Sequence, residues 1–362
     1  RRHVAPCALA QAAPMPSQQL SKLAMQTSVG AGLSVALLHG SPRGLLLLGS
    51  VTTSLLCALP WMSDTHLAVT YGFGASLVCH ALLVAIAQAS WPSPGAALTI
   101  LAYLLYGAKT CIFQAFRDAN AEYVAKVLDP PRKKAAVLAR ADSDVPRIMS
   151  RLSPRLSSVL LFGVLLSGFS FPLSSAVNAA PQRAIGVVFG ALVALGGLFL
   201  QSVADFQKFT FKRLYGPNEL CDRGLWSVSR HPNYLGGMVF HIGVLMAGVA
   251  GAKNLSAAFL AVIAPGAFIK IILEATTQLE RKQLAFFEAG DLDMRNKWRD
   301  YVRKTPRFYG RVAAANDPTY LEVEDRQDQE DRGDEIAGIV AITGGAGVAT
   351  AVVGFIGWLL VS

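Results

Sequence analysis

Apolar runs long enough to cross a bilayer recur along this chain, at residues 44–62, 67–90, 95–116, 156–177, 185–204, 235–251, 255–275 and 336–360. Each run is about as long as the ~17–25 residues that a helix needs to traverse the hydrocarbon layer, and polar or turn-forming residues bound it. A weaker window at 23–40 either spans the membrane or lies at its interface. The pattern predicts an all-α, polytopic transmembrane helical bundle of about eight spans. Seven form a core, one is added at the C-terminus, and 23–40 is an N-terminal candidate.

Basic residues orient this bundle. Alternating the seven core spans puts the loops 117–155, 205–230 and 276–334 on one side, and these hold most of the Lys and Arg, whereas the opposite loops hold only Arg43, Arg183 and Lys253. Such asymmetry marks the basic loops as the cytosolic, stromal or matrix-like face. Trp61 and Trp91 fall near span ends, where aromatic belts form. With 52% hydrophobic and only 16% charged residues, the chain is too apolar for a soluble protein of 362 residues. The net charge of +9 reflects orientation; no basic helix or aromatic ladder suggests nucleic acid. Cys7, Cys57, Cys79, Cys111 and Cys221 contain no Cys-x-x-Cys pair and read as small buried apolar residues, not as a disulfide frame or zinc site.

The chemistry concentrates in Arg230-His231-Pro232-Asn233-Tyr234, immediately before an apolar run. Pro232 suits the first turn of a helix, predicted to run through Leu245, and the amides of a helix start attract anions. Arg230 adds a forked donor matched to phosphate. Together they predict an anion site at the membrane surface.

The surrounding words, Ala204-Asp205-Phe206-Gln207-Lys208, Gly224 through Gly236, and Tyr301-Val302-Arg303-Lys304-Thr305-Pro306, resemble the DUF1295 branch of the steroid 5-alpha-reductase C-terminal family. That family is related to the sterol reductases and, more distantly, to the isoprenylcysteine carboxyl methyltransferases. The resemblance covers residues 156–308. It implies a reductase-like fold and an NADPH site built from Asp205, Lys208, Lys212, Arg230, His231, Asn233 and Tyr234, with Tyr234 as a candidate proton donor and Glu274, Glu280 and Arg281 completing the pocket. Two departures affect that chemistry. Gln201 stands where the family usually has Glu before x-x-Ala-Asp, and Gly237 stands where it usually has Glu after Tyr-Phe-Gly. Both remove a carboxylate expected near the nicotinamide.

These landmarks divide the chain. Residues 1–22 read as the mature start of a protein whose organelle transit peptide has been removed, since they are rich in Ala, Gln, Ser and Pro and lack acidic residues. Residues 23–155 hold the first spans and a basic surface loop, where Pro130-Pro131-Arg132-Lys133-Lys134 separates two amphipathic stretches suited to anionic lipid headgroups. Residues 156–310 form the family-like core, 311–335 an acidic linker, and 336–362 the extra helix. In that helix Ala337, Ala341, Gly345, Ala349 and Gly357 share a face along which another backbone can approach closely, either within this chain or in a partner subunit.

Polar residues within the spans complete the candidates. Lys109 and Lys270 lie near span ends and are expected to snorkel. His80 and His241 are expected to hydrogen-bond to neighbouring helices; ligation of a chlorophyll magnesium or haem iron is the alternative, with no other metal site suggested. Two functions follow. The first is an NADPH-dependent reductase of a double bond in a sterol, isoprenoid or fatty lipid. The second is a catalytically degenerate descendant serving as an accessory subunit of a thylakoid or mitochondrial inner-membrane complex, joined to other subunits through 336–360. The lost carboxylates, the extra helix and the acidic linker favour the second.

Overall fold

The structure, a computed structural model, describes residues 42–58, 71–87, 92–118, 162–216 and 218–309. The predicted N-terminal extension, the 23–40 window, the acidic linker and the 336–360 helix lie outside these residues. Each of the seven core windows holds a helix among the described residues: α1 (Pro42–Ala58), α2 (Phe73–Ala87), α3 (Pro94–Asp118), α4 (Phe162–Val177, with a turn at Gly168 and Phe169), α5 (Ala184–Tyr215), α7 (Pro232–Gly251) and α8 (Leu255–Glu288). Two further helices, α6 (Leu225–Val228) and α9 (Leu292–Lys304), lie outside the windows. Among the described residues there is no strand. Four helices, α3, α5, α7 and α8, are long and apolar enough to cross a bilayer, and α1, α2 and α4 are shorter apolar helices. The chain is that of a helical membrane protein.

Local chemistry sets several boundaries. Asn254 caps α8 by accepting a hydrogen bond from the Ala257 amide at 2.9 Å, and Asp291 caps α9 through the Met294 amide at 2.8 Å. Pro232 opens α7, as its fixed φ favours, but α7 continues to Gly251, six residues beyond the predicted end. Gly216, at φ 106°, ends α5 in a backbone conformation that other residues rarely adopt.

Two helices are longer than a membrane is thick. α5 has 32 residues and α8 has 34. At ~1.5 Å per residue each extends about 50 Å, against roughly 30 Å of hydrocarbon. Their C-terminal dozen residues lie beyond the apolar windows, and there α9 packs Trp298, Tyr301 and Val302 against Phe287 of α8 and Leu220. The lipid-facing flank of α5 carries exposed Ile185, Phe189, Leu192 and Phe199, as a helix bathed in lipid should.

The centre of the bundle is an aromatic core in which Phe73, Tyr103, Tyr106, Phe169, Phe240 and Phe268 are buried. α5 and α7 meet along a seam of small residues. A methyl group on Gly197 would lie 2.3 Å from the Phe240 amide nitrogen, one on Gly236 2.4 Å from the Gln201 nitrogen, and one on Gly243 2.2 Å from the Ala194 nitrogen. The backbones are thus in direct contact, which is how helices associate within lipid, where no hydrophobic force acts between them. Replacing Gly236 or Gly243 with Ala should cost roughly 1–3 kcal/mol by overpacking. Gly196→Ala, one residue off the seam with nothing within 4 Å of its added methyl, should be neutral. Thermal unfolding of the three variants in detergent will separate these outcomes.

Candidate functional site

Arg230 joins the end of one helix system to the start of another. Its Nε donates to Glu280 Oε1 of α8 at 2.8 Å, and its Nη1 donates to the carbonyls of Val302 and Thr305 at 3.2 Å each. The backbone follows the same route: the Arg230 amide donates to Pro306 O at 2.9 Å and the His231 amide to Arg307 O at 3.2 Å. Tyr301 donates its hydroxyl to Trp226 O at 2.6 Å, and Trp226 Nε1 donates to Ala204 O at 3.0 Å. The Thr-Pro tail word therefore lies across the entrance to α7, and its carbonyls occupy two amides that lead into the helix. The predicted anion-attracting arginine is only 3% exposed, as is its carboxylate partner.

His231 shares that carboxylate. Its Nε2 lies 3.0 Å from Glu280 Oε1, a geometry that calls for the Nε2–H tautomer as donor, while Nδ1 has no hydrogen-bond partner within the protein. Burial pushes the imidazole below its ordinary pKa, against the opposing pull of Glu280. Arg307 completes the cluster, 3.6 Å from Glu280 Oε2.

The other predicted residues divide into two groups. Asp205 bonds across the bundle to Lys109 of α3 and accepts from Asn233 Nδ2 of α7 at 3.0 Å. Lys109, expected to snorkel, is instead an internal partner, only 16% exposed. Tyr234 packs its ring 5.8 Å from that of His231. Lys208, Lys212 and Arg230, by contrast, line a pocket of about 280 Å³ closed by Trp226, Phe287 and Tyr301 and completed by Lys282 and Gln283. The overhanging ends of α5 and α8 form its walls. Lys208 sits 4.3 Å above the Trp226 ring, and Lys212 donates to the Glu219 carbonyl. Three lysines and no carboxylate line this pocket beside the Glu280-bound Arg230, and the lysines are a donor set that fits phosphate. The volume lies just below the ~300–1,000 Å³ usual for ligand sites, so the pocket suits a phosphate-sized group and not a whole dinucleotide.

The two departures from the family pattern face each other. A methyl group on Gly237 would lie 3.6 Å from Gln201 Oε1 and 3.6 Å from the Tyr106 hydroxyl, all ordinary contacts. Around Gly237 the structure thus sets an amide, a phenol and a bare backbone. The sequence reading missed Lys282, Gln283 and Tyr106. Tyr106 carries no motif, and Lys282 reads as one more exit-loop cation until α8 extends past its apolar window.

Of the histidines, His80 lies against α1, with its Nε2 3.2 Å from Ser54 Oγ and 3.5 Å from Ser50 O. Neither ring nitrogen of His241 has a hydrogen-bond partner within the protein, although the ring is fully buried among Phe73, Tyr106, Phe169, Phe240 and Phe268. The His241 site is already filled by rings at centroid distances of 5.3–6.1 Å, so a haem or chlorophyll does not fit there. Among the described residues, no three His, Cys, Asp or Glu side chains are grouped to hold a metal ion. Lys270 is 66% exposed and pairs with Glu274 at 3.6 Å.

Removing one partner of a buried ion pair costs about 3–5 kcal/mol because the other charge is left uncompensated. Arg230→Ala should therefore lower thermal stability sharply, and the double change Arg230→Met with Glu280→Met should recover much of the loss. His231 provides a pH test. The unfolded chain takes up a proton on this imidazole below about pH 6.5, whereas the folded chain resists it. Its contribution is thus present above that pH and lost as pH falls through it. Unfolding temperatures measured from pH 7 to pH 5 should fall more steeply for the native chain than for His231→Gln.

No curated protein and no solved structure matches the chain. Residues 143–305, which contain α4 to α9 with Arg230, His231 and Glu280, match the family model DUF1295, described as a protein of unknown function, the family that the words around Arg230 resemble.

Proposed function

We propose that the protein is a catalytically degenerate relative of membrane reductases that keeps a phosphate-binding pocket on its basic face and serves as an accessory subunit of an organelle membrane complex, thylakoid or mitochondrial. The contact between Gln201 and Gly237 carries this reading. Two positions where a carboxylate is expected lie on adjoining helices opposite each other, and neither supplies one. A neutral amide can hydrogen-bond but cannot hold a proton or balance charge as a carboxylate does. NADPH is the cofactor whose phosphates fit Lys208, Lys212 and Lys282, and it would supply hydride when bound. Arg230 is committed to Glu280 and to carbonyls, so its part is to hold the pocket's shape. The accessory role rests on the small-residue face of 336–360 and on the acidic stretch before it, which suits a basic partner surface.

One observation favours the second reading, an active reductase of a sterol, isoprenoid or fatty-lipid double bond. The Tyr106 hydroxyl stands opposite Gly237, where a proton donor would be needed.

Calorimetry with NADPH on the purified protein separates the two. Binding should weaken at least about tenfold on Lys208→Ala, Lys212→Ala or Lys282→Ala, since each charged contact is worth roughly 1.5–3 kcal/mol. No NADPH should be consumed with sterol, polyprenyl or enoyl lipids. Steady consumption would establish the reductase, and binding unaffected by all three changes would remove the pocket from the account. For the accessory role, Gly345→Leu should shift the chain to a smaller species on native gels of organelle membranes, and unchanged migration would count against it.

A further inference from the structure

The lysine pocket and the acidic stretch at 317–335 carry opposite charges, and the chain brings them close together. Among the described residues no carboxylate lines the pocket, although Lys208 and Lys212 stand one helical turn apart and Lys282 joins them from α8. Carboxylates of the surrounding segments are engaged elsewhere: Glu280 with Arg230, Glu219 with Lys297 at 3.6 Å, and Asp300 with Lys304 at 3.8 Å. Like charges gathered without a counter-charge repel one another and attract an anion within reach.

The chain carries such an anion itself. Residues 317–335, outside the described residues, hold nine Asp or Glu against two Arg. The described chain ends beside the pocket: Pro306 O accepts from the amide of Arg230, which lines the pocket, and Tyr309, three residues on, is 83% exposed. An extended chain from Tyr309 to Glu322 reaches ~45 Å, ample for turning back over Arg230. The apolar run 336–360 follows at once and is long enough to re-enter the bilayer, so the stretch is tethered at both ends. Tethering of this kind gives an effective concentration in the ~mM range, at which weak contacts suffice.

Leu321-Glu322-Val323-Glu324-Asp325 matches the pocket's chemistry. In an extended backbone Glu322 and Glu324 point to one side, and Leu321 and Val323 to the other. The pocket offers lysines together with apolar rings, of which Phe286 is 47% exposed. A lysine ammonium donates equally well to carboxylate or phosphate oxygen, and a pocket of about 280 Å³ has room for one such group at a time.

We propose that Leu321–Asp325 folds back and places Glu322 and Glu324 in the lysine pocket as a built-in competitor of phosphate ligands. The competition rests on the reading of this pocket as a phosphate site. The same carboxylates cannot lie on a partner's basic surface at the same time, so association with that partner opens the pocket.

Carbodiimide coupling of the full chain in lipid nanodiscs at low salt, followed by peptide mapping, tests the docking, because it joins carboxylates to amines in contact with them. Amide links should join Glu322 or Glu324 to Lys212 or Lys282, and inorganic pyrophosphate should suppress them. Links confined to Lys297 or Lys304, links only to another polypeptide, or no links overturn the proposal. Calorimetry with pyrophosphate tests the competition. A pocket covered about nine-tenths of the time binds about tenfold more weakly, so the triple change Glu322→Gln, Glu324→Gln and Asp325→Asn should tighten binding by about that factor. Equal affinity of the native and triple-variant chains overturns the competition and leaves the phosphate site standing. No binding by the triple variant removes the phosphate site instead, and the cross-links alone then decide the docking.

Discussion

The ion pair between Arg230 and Glu280 holds the basic face together, because it is buried on both sides and cannot exist in halves. A lone guanidinium or carboxylate taken out of water is far costlier than the pair, so the entrance to α7, the overhang of α8 and the tail at 302–307 must form together. The backbone bonds from Arg230 and His231 to Pro306 and Arg307 fix the same register without side chains. What reads as an anion hook in the sequence is thus the fastening of the site's frame.

That frame sets where ligand chemistry can occur. α5 and α8 run on past their apolar windows, and their projecting ends, tied by the Arg230 cluster and braced by α9, carry Lys208, Lys212 and Lys282 to one pocket. Below it, the glycine seam draws α5 and α7 together so closely that Gln201 and Gly237 meet. The close approach that stabilises the bundle in lipid also decides which side chains can reach its polar interior.

Much of the fold was legible because helices in lipid follow the hydrophobic pattern closely. The 95–116 window became Pro94–Asp118, and 235–251 became Pro232–Gly251. The 185–204 and 255–275 windows ended a dozen residues early, since hydropathy marks where lipid stops and not where the helix stops. The candidate residues were legible as a neighbourhood but not in their roles. Lys208 and Lys212 reach the pocket, whereas Asp205 and Asn233 face inward toward each other, a distinction set by rotation about the helix axis. The partners of Arg230 lie 50 and 72–75 residues away, at Glu280, Val302 and Thr305, and no local pattern announces such pairings. Tyr106 and His241 gain significance only from what faces them across the bundle.

The central claim is that this chain grips the phosphates of a nucleotide but not its nicotinamide. Calorimetric comparison of NADPH with 2′-phospho-ADP-ribose, which lacks the nicotinamide, tests it most directly. The account predicts equal affinity for the two ligands, because Gln201 and Gly237 offer the nicotinamide no carboxylate. Markedly tighter binding of NADPH would contradict it and show that the nicotinamide end of the site is intact.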